Sequence, residues 1–191
     1  HSQGAFAEYI TVKHNECAIK PKDLSFEVAA ASTTESITAL QAIRDKGGLR
    51  MNSNSSESNS KSMEQQQNIL VVGGGGGVGS AAVQIAKHLL GAHVTAVCSS
   101  KDVQTVKDVY GADVVIDRSM EPNYMKRLLR ENNTKFDVIL DAPCVLPSSA
   151  TKLLKSKGTI VTTLPTGTMV WNIVVVVVAT ATPTLSWFPV G

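Results

Sequence analysis

Three cysteines, at positions 17, 98 and 144, are too few for a disulfide framework or a cysteine-rich zinc site. They fit a reducing compartment. The four histidines, His1, His14, His88 and His93, form no pair at metal-ligand spacing. Charge of one sign is also scarce. Lys+Arg number 18 against 16 Asp+Glu, a net charge of +2, so no basic excess points to nucleic acid or to an anionic membrane. Met169 to Thr182 is the one stretch that suggests a membrane, with five consecutive valines from Val174 to Val178. Asn172 and Thr180 interrupt it and Pro183 ends it. It falls short of the ~20 apolar residues that a spanning helix needs. Its β-branched valines favour a strand.

The remaining composition is globular. Hydrophobic residues make up 43% and charged residues 18% of 191, enough for the core of one domain, or of one domain and part of another. The chain opens at His1 rather than Met, with no signal or transit pattern, so a natural start upstream of His1 is expected.

Along the chain, residues 5–13 carry Phe6, Tyr9, Ile10 and Val12 and predict a strand. Ser25 is placed to cap a helix through Phe26, Val28 and the Ala29–Ala31 run. A second helix is expected from Thr34 to Lys46, with Ile37, Leu40 and Ile43 on one face and Gly47-Gly48 as its stop. Residues 51–68 are almost wholly polar, with Met51 and Met63 the only groups to bury. They predict a disordered surface insertion.

Beyond that insertion the pattern is regular. Strands are predicted at 69–72, 94–98, 114–116, 136–140 and 159–164. Helices are predicted at 78–90, 102–110, 124–130 and 149–155, the last closed by Gly158. Alternation with short links requires an α/β fold, a doubly wound parallel sheet with helices on both faces.

The first of these strands runs into Gly73-Gly74-Gly75-Gly76-Gly77-Val78-Gly79. Both Gly74-x-Gly76-x-x-Gly79 and Gly73-x-x-Gly76-x-x-Gly79 fit the dinucleotide fingerprint. An early glycine makes the turn, Gly76 lets the backbone approach a pyrophosphate, and Gly79 lets the helix pack on the strand. Gly73, Gly74, Gly76, Gly77, Val78 and Gly79 are therefore candidate cofactor-binding residues. No Gly-Lys-Ser/Thr follows, which excludes a nucleoside-triphosphate P-loop. The acidic residue that holds the ribose of NAD belongs about 20 positions on. Cys98 stands there, followed by Ser99, Ser100 and Lys101. Two hydroxyls and an ammonium suit a 2′-phosphate, and Arg118 reaches the same corner in this topology, so NADPH is the expected cofactor. Ser100 and Lys101 also fit the start of the next helix, and both readings hold at once.

Gly4-Ala-Phe-Ala-Glu-Tyr9, Lys20-Pro-Lys-Asp-Leu-Ser-Phe-Glu-Val-Ala-Ala-Ala31, Ile37-Thr-Ala-Leu-Gln-Ala-Ile43 and Gly76-Gly-Val-Gly-Ser-Ala-Ala-Val-Gln-Ile-Ala-Lys87 resemble the zinc-free quinone oxidoreductase branch of the medium-chain dehydrogenase/reductases. Ala92-His-Val-Thr-Ala-Val-Cys-Ser99 and Gly111-Ala-Asp-Val-Val-Ile-Asp117 resemble its mitochondrial reticulon-interacting subgroup. The resemblance spans about residues 4–165, and family members are longer at both ends, so a fragment is expected.

The resemblance implies the tail of a mostly-β, GroES-like catalytic domain over residues 1–33. A Rossmann domain would fill 34–191. It implies NADPH-dependent hydride transfer, without zinc, to a small-molecule quinone or α,β-unsaturated carbonyl. Zinc-dependent relatives carry a ligand cysteine where this chain has Thr34. Thr38 matches a threonine near the nicotinamide, although a helix threonine also bonds back to its own turn. Asp141 and Leu164, at the ends of the fourth and fifth strands, join the cofactor-binding set. A homodimer through the 173–188 strand region and a mitochondrial location, with the cytoplasm as alternative, complete the implied picture. Two departures bear on turnover. Thr34-Glu35-Ser36 replaces small apolar residues, which brings a charge near the nicotinamide pocket, and Asp141-Ala-Pro-Cys144 replaces Asp-x-Val-Gly. A cofactor-binding fragment without turnover, or a regulatory or interaction protein, is the alternative.

Overall fold

The computed structural model describes residues 7–51, 66–131 and 135–164, and the backbone of 175–180 and 186–187. Strand β1 (Asn68–Val72) is followed by α2 (Gly77–Gln84), β2 (His93–Cys98), α3 (Val103–Asp108), β3 (Val114–Asp117), α4 (Tyr124–Glu131), β4 (Phe136–Asp141) and β5 (Leu154–Leu164). Helix α1 (Phe26–Leu40) precedes them. Two further strands, β6 (Val175–Thr180) and β7 (Ser186–Trp187), follow.

The sheet order is β3-β2-β1-β4-β5-β6-β7. The first five strands are parallel and β6 and β7 are antiparallel. The expected doubly wound α/β fold is thus found, with strand order reversing between β1 and β4. The described part of the valine run, Val175–Val178, does form a strand. It pairs with β5 on one side (Val161 opposite Val178) and with β7 on the other (Val177 opposite Trp187). No helix among the described residues is long and apolar enough to cross a membrane.

The period-two geometry of β1 explains the burial on both faces. Ile69 and Val71 face one layer, with Ile43, Val83, Ala86 and Val94. Leu70 and Val72 face the other, with Phe136, Ile139 and Leu153. All four β1 side chains are 2% exposed or less. At ~1.5–3 kcal/mol for each large apolar side chain, this two-sided burial is the main favourable term in the fold.

Several expectations are corrected. The two helices predicted at 26–46 are one. Helix α1 runs to Leu40 and continues as a wider turn over Gln41–Lys46. Thr33 Oγ1 and Ser32 Oγ both donate to the Ala29 carbonyl, so the Ser-Thr-Thr run stays helical. The predicted cap is present, with Ser25 Oγ accepting the Val28 N–H at 3.2 Å. The buried face is Ala39, Ala42 and Ile43, whereas Ile37 is half exposed. The stop at Gly47-Gly48 holds, Gly48 having a left-handed φ of +79°.

The strand predicted over 5–13 is absent from its described part, 7–13, where no neighbouring strand offers a row of backbone partners. The C-terminal end of the predicted 51–68 insertion has defined contacts. Gln67 Oε1 accepts the Arg50 N–H at 2.8 Å, Gln66 Nε2 donates to the Gly91 carbonyl, and Asn68 already belongs to β1. Residues 52–65 lie outside the described residues. Finally, Gly158 closes no helix. A short 3₁₀ turn ends at Leu153 and β5 begins at Leu154. Gly158 sits within β5, where a β-carbon would stand 2.7 Å from the Phe136 carbonyl oxygen, beside a register shift in the β4 pairing.

Candidate dinucleotide cleft

A cleft of about 520 Å³ opens at the carboxyl ends of β1, β2, β4 and β5, where strand order reverses. Crevices of this kind bind ligands in open α/β sheets because two adjacent crossover connections diverge there.

The glycine turn forms its floor. Gly73 has φ +86°, a conformation that favours glycine. The Gly73 and Gly74 N–H groups both donate to the Val97 carbonyl at 2.9 Å, tying the turn to β2. Gly76 is the extended N-cap of α2 and supplies no side-chain acceptor to its first turn, which is left to an outside anion or to water. Gly79 is where helix meets strand. A β-carbon there would lie 2.0 Å from the Gly73 carbonyl oxygen.

The turn is also flanked by acids. A β-carbon on Gly75 would lie 2.5 Å from the Asp102 carboxyl carbon, and one on Gly77 would lie 2.6 Å from Glu35 Cγ. The cleft wall beyond β2 holds Cys98, Ser99, Lys101, Asp102, Arg118 and Tyr124. Ser99 Oγ donates to Asp102 Oδ2 at 2.6 Å. A hydrogen bond from Ser100, with further ones from the Ser119 and Met120 backbone, holds Asp117 below the usual carboxylate range. Of the two serine hydroxyls expected at a phosphate, that of Ser99 therefore donates to a carboxylate, and Ser100 lies beside Asp117. Neither Lys101 nor Arg118 joins an ion pair among the described residues. Burial raises the Cys98 thiol pKa, with Asp102 and Asp117 adding to the effect against Arg118, so Cys98 stays a neutral wall residue. Burial likewise raises Tyr124, with Asp141 nearby, and keeps its phenol protonated.

The cleft thus brings together Gly73, Gly76, Gly77, Val78, Gly79, Cys98, Ser99, Lys101 and Arg118 of the sequence-derived set. Gly74, Ser100, Asp141 and Thr38 are not in its lining, and the side chain of Leu164 lies outside the described residues. Asp141 is 3% exposed, and its carboxylate accepts the Val145 and Leu146 N–H groups, so it holds the loop after β4. Thr38 sits on α1, half-buried. Sequence reasoning missed Asp102, Tyr124, Pro143, Val145 and Thr163. Only Asp102 carried a readable signal, a Ser-x-x-Asp turn beginning at Ser99. Among the described residues no three His, Cys, Asp or Glu side chains stand together as a metal site.

Residues 77–179, more than half of the chain, match the family described as zinc-binding dehydrogenase. The chain belongs to that family. Curated proteins are also similar to it. NAD(P)H oxidoreductase RTN4IP1, mitochondrial, of Danio rerio is 38% identical over 73% of this chain and 32% of its own length. The NADPH-dependent alkenal/one oxidoreductase, chloroplastic, of Arabidopsis thaliana is 34% identical over 83% of this chain and 35% of its own length. A crystal structure of an NAD-dependent alcohol dehydrogenase superposes with a TM-score of 0.66 at 33% identity, over 83% of this chain and 42% of that one. The chain therefore spans about a third of the length of the curated relatives it matches. The family's name implies zinc, but the described residues offer no ligand set for it.

Proposed function

We propose that this chain is the cofactor-binding part of an NADPH-dependent oxidoreductase that reduces a quinone or an α,β-unsaturated carbonyl without zinc. The observation that carries this reading is the glycine turn at the strand-order reversal, with Lys101 and Arg118 on one wall of the same cleft. The names of the relatives, an NAD(P)H oxidoreductase and an alkenal/one oxidoreductase, support the reaction class. The resemblance to quinone oxidoreductases supports the quinone.

Each part of the cleft has a role in this reading. The free N–H groups at the start of α2 receive the pyrophosphate, and Gly76 lets it approach the backbone. Gly73, Gly74, Gly77, Val78 and Gly79 shape the turn. Cys98, Ser99, Ser100, Lys101 and Arg118 surround the adenosine ribose, and Asp141 and Leu164 end the strands beneath the dinucleotide. Reduced nicotinamide, when bound, supplies the hydride that adds to the acceptor, with a proton following from solvent. Thr38 is the proposed catalytic residue beside the nicotinamide. The proposal extends to a homodimer through the 173–188 region and to a mitochondrial location. The similarity to RTN4IP1, which is named mitochondrial, favours that location, whereas the alkenal/one relative is named chloroplastic.

The test is a calorimetric titration with NADPH and NADH, followed by NADPH oxidation with benzoquinone and with methyl vinyl ketone. A charge-assisted phosphate contact is worth ~1.5–3 kcal/mol, so NADPH is expected to bind roughly ten- to a hundredfold tighter. Binding of neither dinucleotide would overturn the reading. A second reading, binding without turnover, is favoured by the chain's span of only about a third of its relatives. Tight NADPH binding with no oxidation by either acceptor would select it.

A further inference from the structure

Asp102 is the feature of the cleft that the reading above does not use. It belongs to the short turn between β2 and α3, half-buried, and faces the cleft beside Lys101. Its carboxyl carbon lies 2.5 Å from where a β-carbon on Gly75 would stand. Only a glycine at 75 leaves room for it, so this carboxylate packs directly on the phosphate turn. Oδ2 accepts the Ser99 hydroxyl at 2.6 Å, while Oδ1 accepts no hydrogen bond among the described residues.

The chemistry of this corner is therefore mixed. Lys101 and Arg118 attract a 2′-phosphate. Asp102 repels it, and it also ties up the Ser99 hydroxyl that would otherwise donate to a phosphate. An unmodified ribose presents hydroxyl donors instead, and a carboxylate is an acceptor with lone pairs to spare. No carboxylate stands at the end of β2, where Cys98 is, but Asp102 returns one to the same wall from four residues further on.

We propose that Asp102 is a specificity-determining residue of this cleft. It accepts an adenosine-ribose hydroxyl of NADH and weakens the hold on the 2′-phosphate of NADPH. The chain then discriminates between the two less than Lys101 and Arg118 alone would make it. This inference rests on the dinucleotide reading of the cleft.

The test uses the 191-residue chain and its Asp102→Asn variant. The amide keeps an oxygen for the Ser99 hydroxyl, removes the charge and replaces the other acceptor oxygen with an N–H donor. Calorimetric titration is expected to show NADPH binding tighter and NADH weaker, with the preference ratio rising roughly tenfold, the size of one charge-assisted hydrogen bond. An unchanged or lower ratio overturns the proposal. A measurement on the unaltered chain guards against a misfolded variant. NADH lacking its adenosine 2′-hydroxyl is expected to bind several-fold more weakly than NADH itself, and equal binding overturns the proposal. If the unaltered chain binds neither NADPH nor NADH, the dinucleotide reading falls first and this inference with it. If it binds both and Asp102→Asn leaves their ratio alone, only this inference falls.

Discussion

Glu35 lies against Gly77, with its Cγ 2.6 Å and its Oε1 3.3 Å from the place a β-carbon on Gly77 would occupy. A carboxylate of the chain's own thus stands against Gly77 at the first turn of α2, beside the seat proposed for a pyrophosphate. An acid near a helix N-terminus stabilises the helix by about 0.3–1 kcal/mol. Glu35→Gln is therefore expected to lower stability by about that amount and to tighten dinucleotide binding several-fold. Thermal denaturation and calorimetry check the two halves separately. Unchanged affinity would show that Glu35 does not compete with the ligand.

Gly79 and Gly76 separate folding from binding. A methyl group at 79 would be 2.0 Å from the Gly73 carbonyl oxygen and 3.1 Å from the Gly74 α-carbon, both backbone atoms. Gly79→Ala is expected to cost at least about 1–3 kcal/mol, and Gly79→Val to abolish cofactor binding. The nearest contact at 76 is 3.4 Å. Gly76→Ala is expected to leave the melting temperature unchanged and to weaken NADPH binding roughly tenfold or more, because the backbone no longer meets the pyrophosphate. Melting curves and titrations of both variants decide it.

These contrasts show how far the sequence could be read. The order of strands and helices after residue 68 was legible because β1, β2 and β4 are buried on both faces and read as mostly apolar runs, unbroken over Ile69–Val72 and interrupted only by Thr95 in β2 and Asp137 in β4. The glycine turn was legible because it follows one of those runs. The start of β5 was not, since Gly158 imitates a helix stop and its true reason, the Phe136 carbonyl oxygen, is remote in sequence. The acids at the turn were hidden for the same cause. Asp102 reaches Gly75 across 27 positions and Glu35 reaches Gly77 across 42, and no local pattern records such contacts. The exposure of Ile37 was misjudged because helical spacing shows which residues share a face, not which face is covered.

Asp113 predicts a pH dependence. Burial opposes its ionisation, but the Lys87 ammonium at 2.5 Å and the Val94 N–H at 2.8 Å outweigh that and hold its pKa below the ordinary carboxylate value. A depressed folded-state pKa contributes stability above the unfolded value, about 3.9, and loses it as pH falls through the folded one. Asp113→Asn is expected to cost about 1 kcal/mol at pH 7. The gap between the two proteins should close between pH 4 and the lowest pH at which both fold. Urea midpoints across that range test it, and a constant gap would exclude Asp113 as the source.

Cys144 has φ +55°, in the left-handed region, and is exposed. A side chain there costs roughly 1–2 kcal/mol, against the greater unfolded-state entropy of glycine. Cys144→Gly is expected to stabilise the chain by about 0.5–1 kcal/mol and to raise the melting temperature by a few degrees. A lower melting temperature would mean that the thiol makes a contact worth more than the strain.

The absence of a ligand set among the described residues predicts indifference to metal removal. Dialysis against a strong chelator is expected to leave the melting temperature and NADPH affinity unchanged, with well under about one zinc per chain by elemental analysis. A drop in either property on dialysis, restored by zinc, would overturn this.

The hydrogen bond from the Arg50 N–H to Gln67 Oε1 closes the chain on itself just before β1. It lies at the opposite end of that strand from the glycine turn, roughly 20 Å away at 3.3 Å per residue from Gln67 to Gly73. The sheet therefore has a natural attachment end. A fluorophore or affinity handle joined at Met51, which is exposed beside the clasp, would stand at the end of the sheet away from the cleft. The protein could then be anchored to a surface, or made into an optical sensor, with its binding face turned outward.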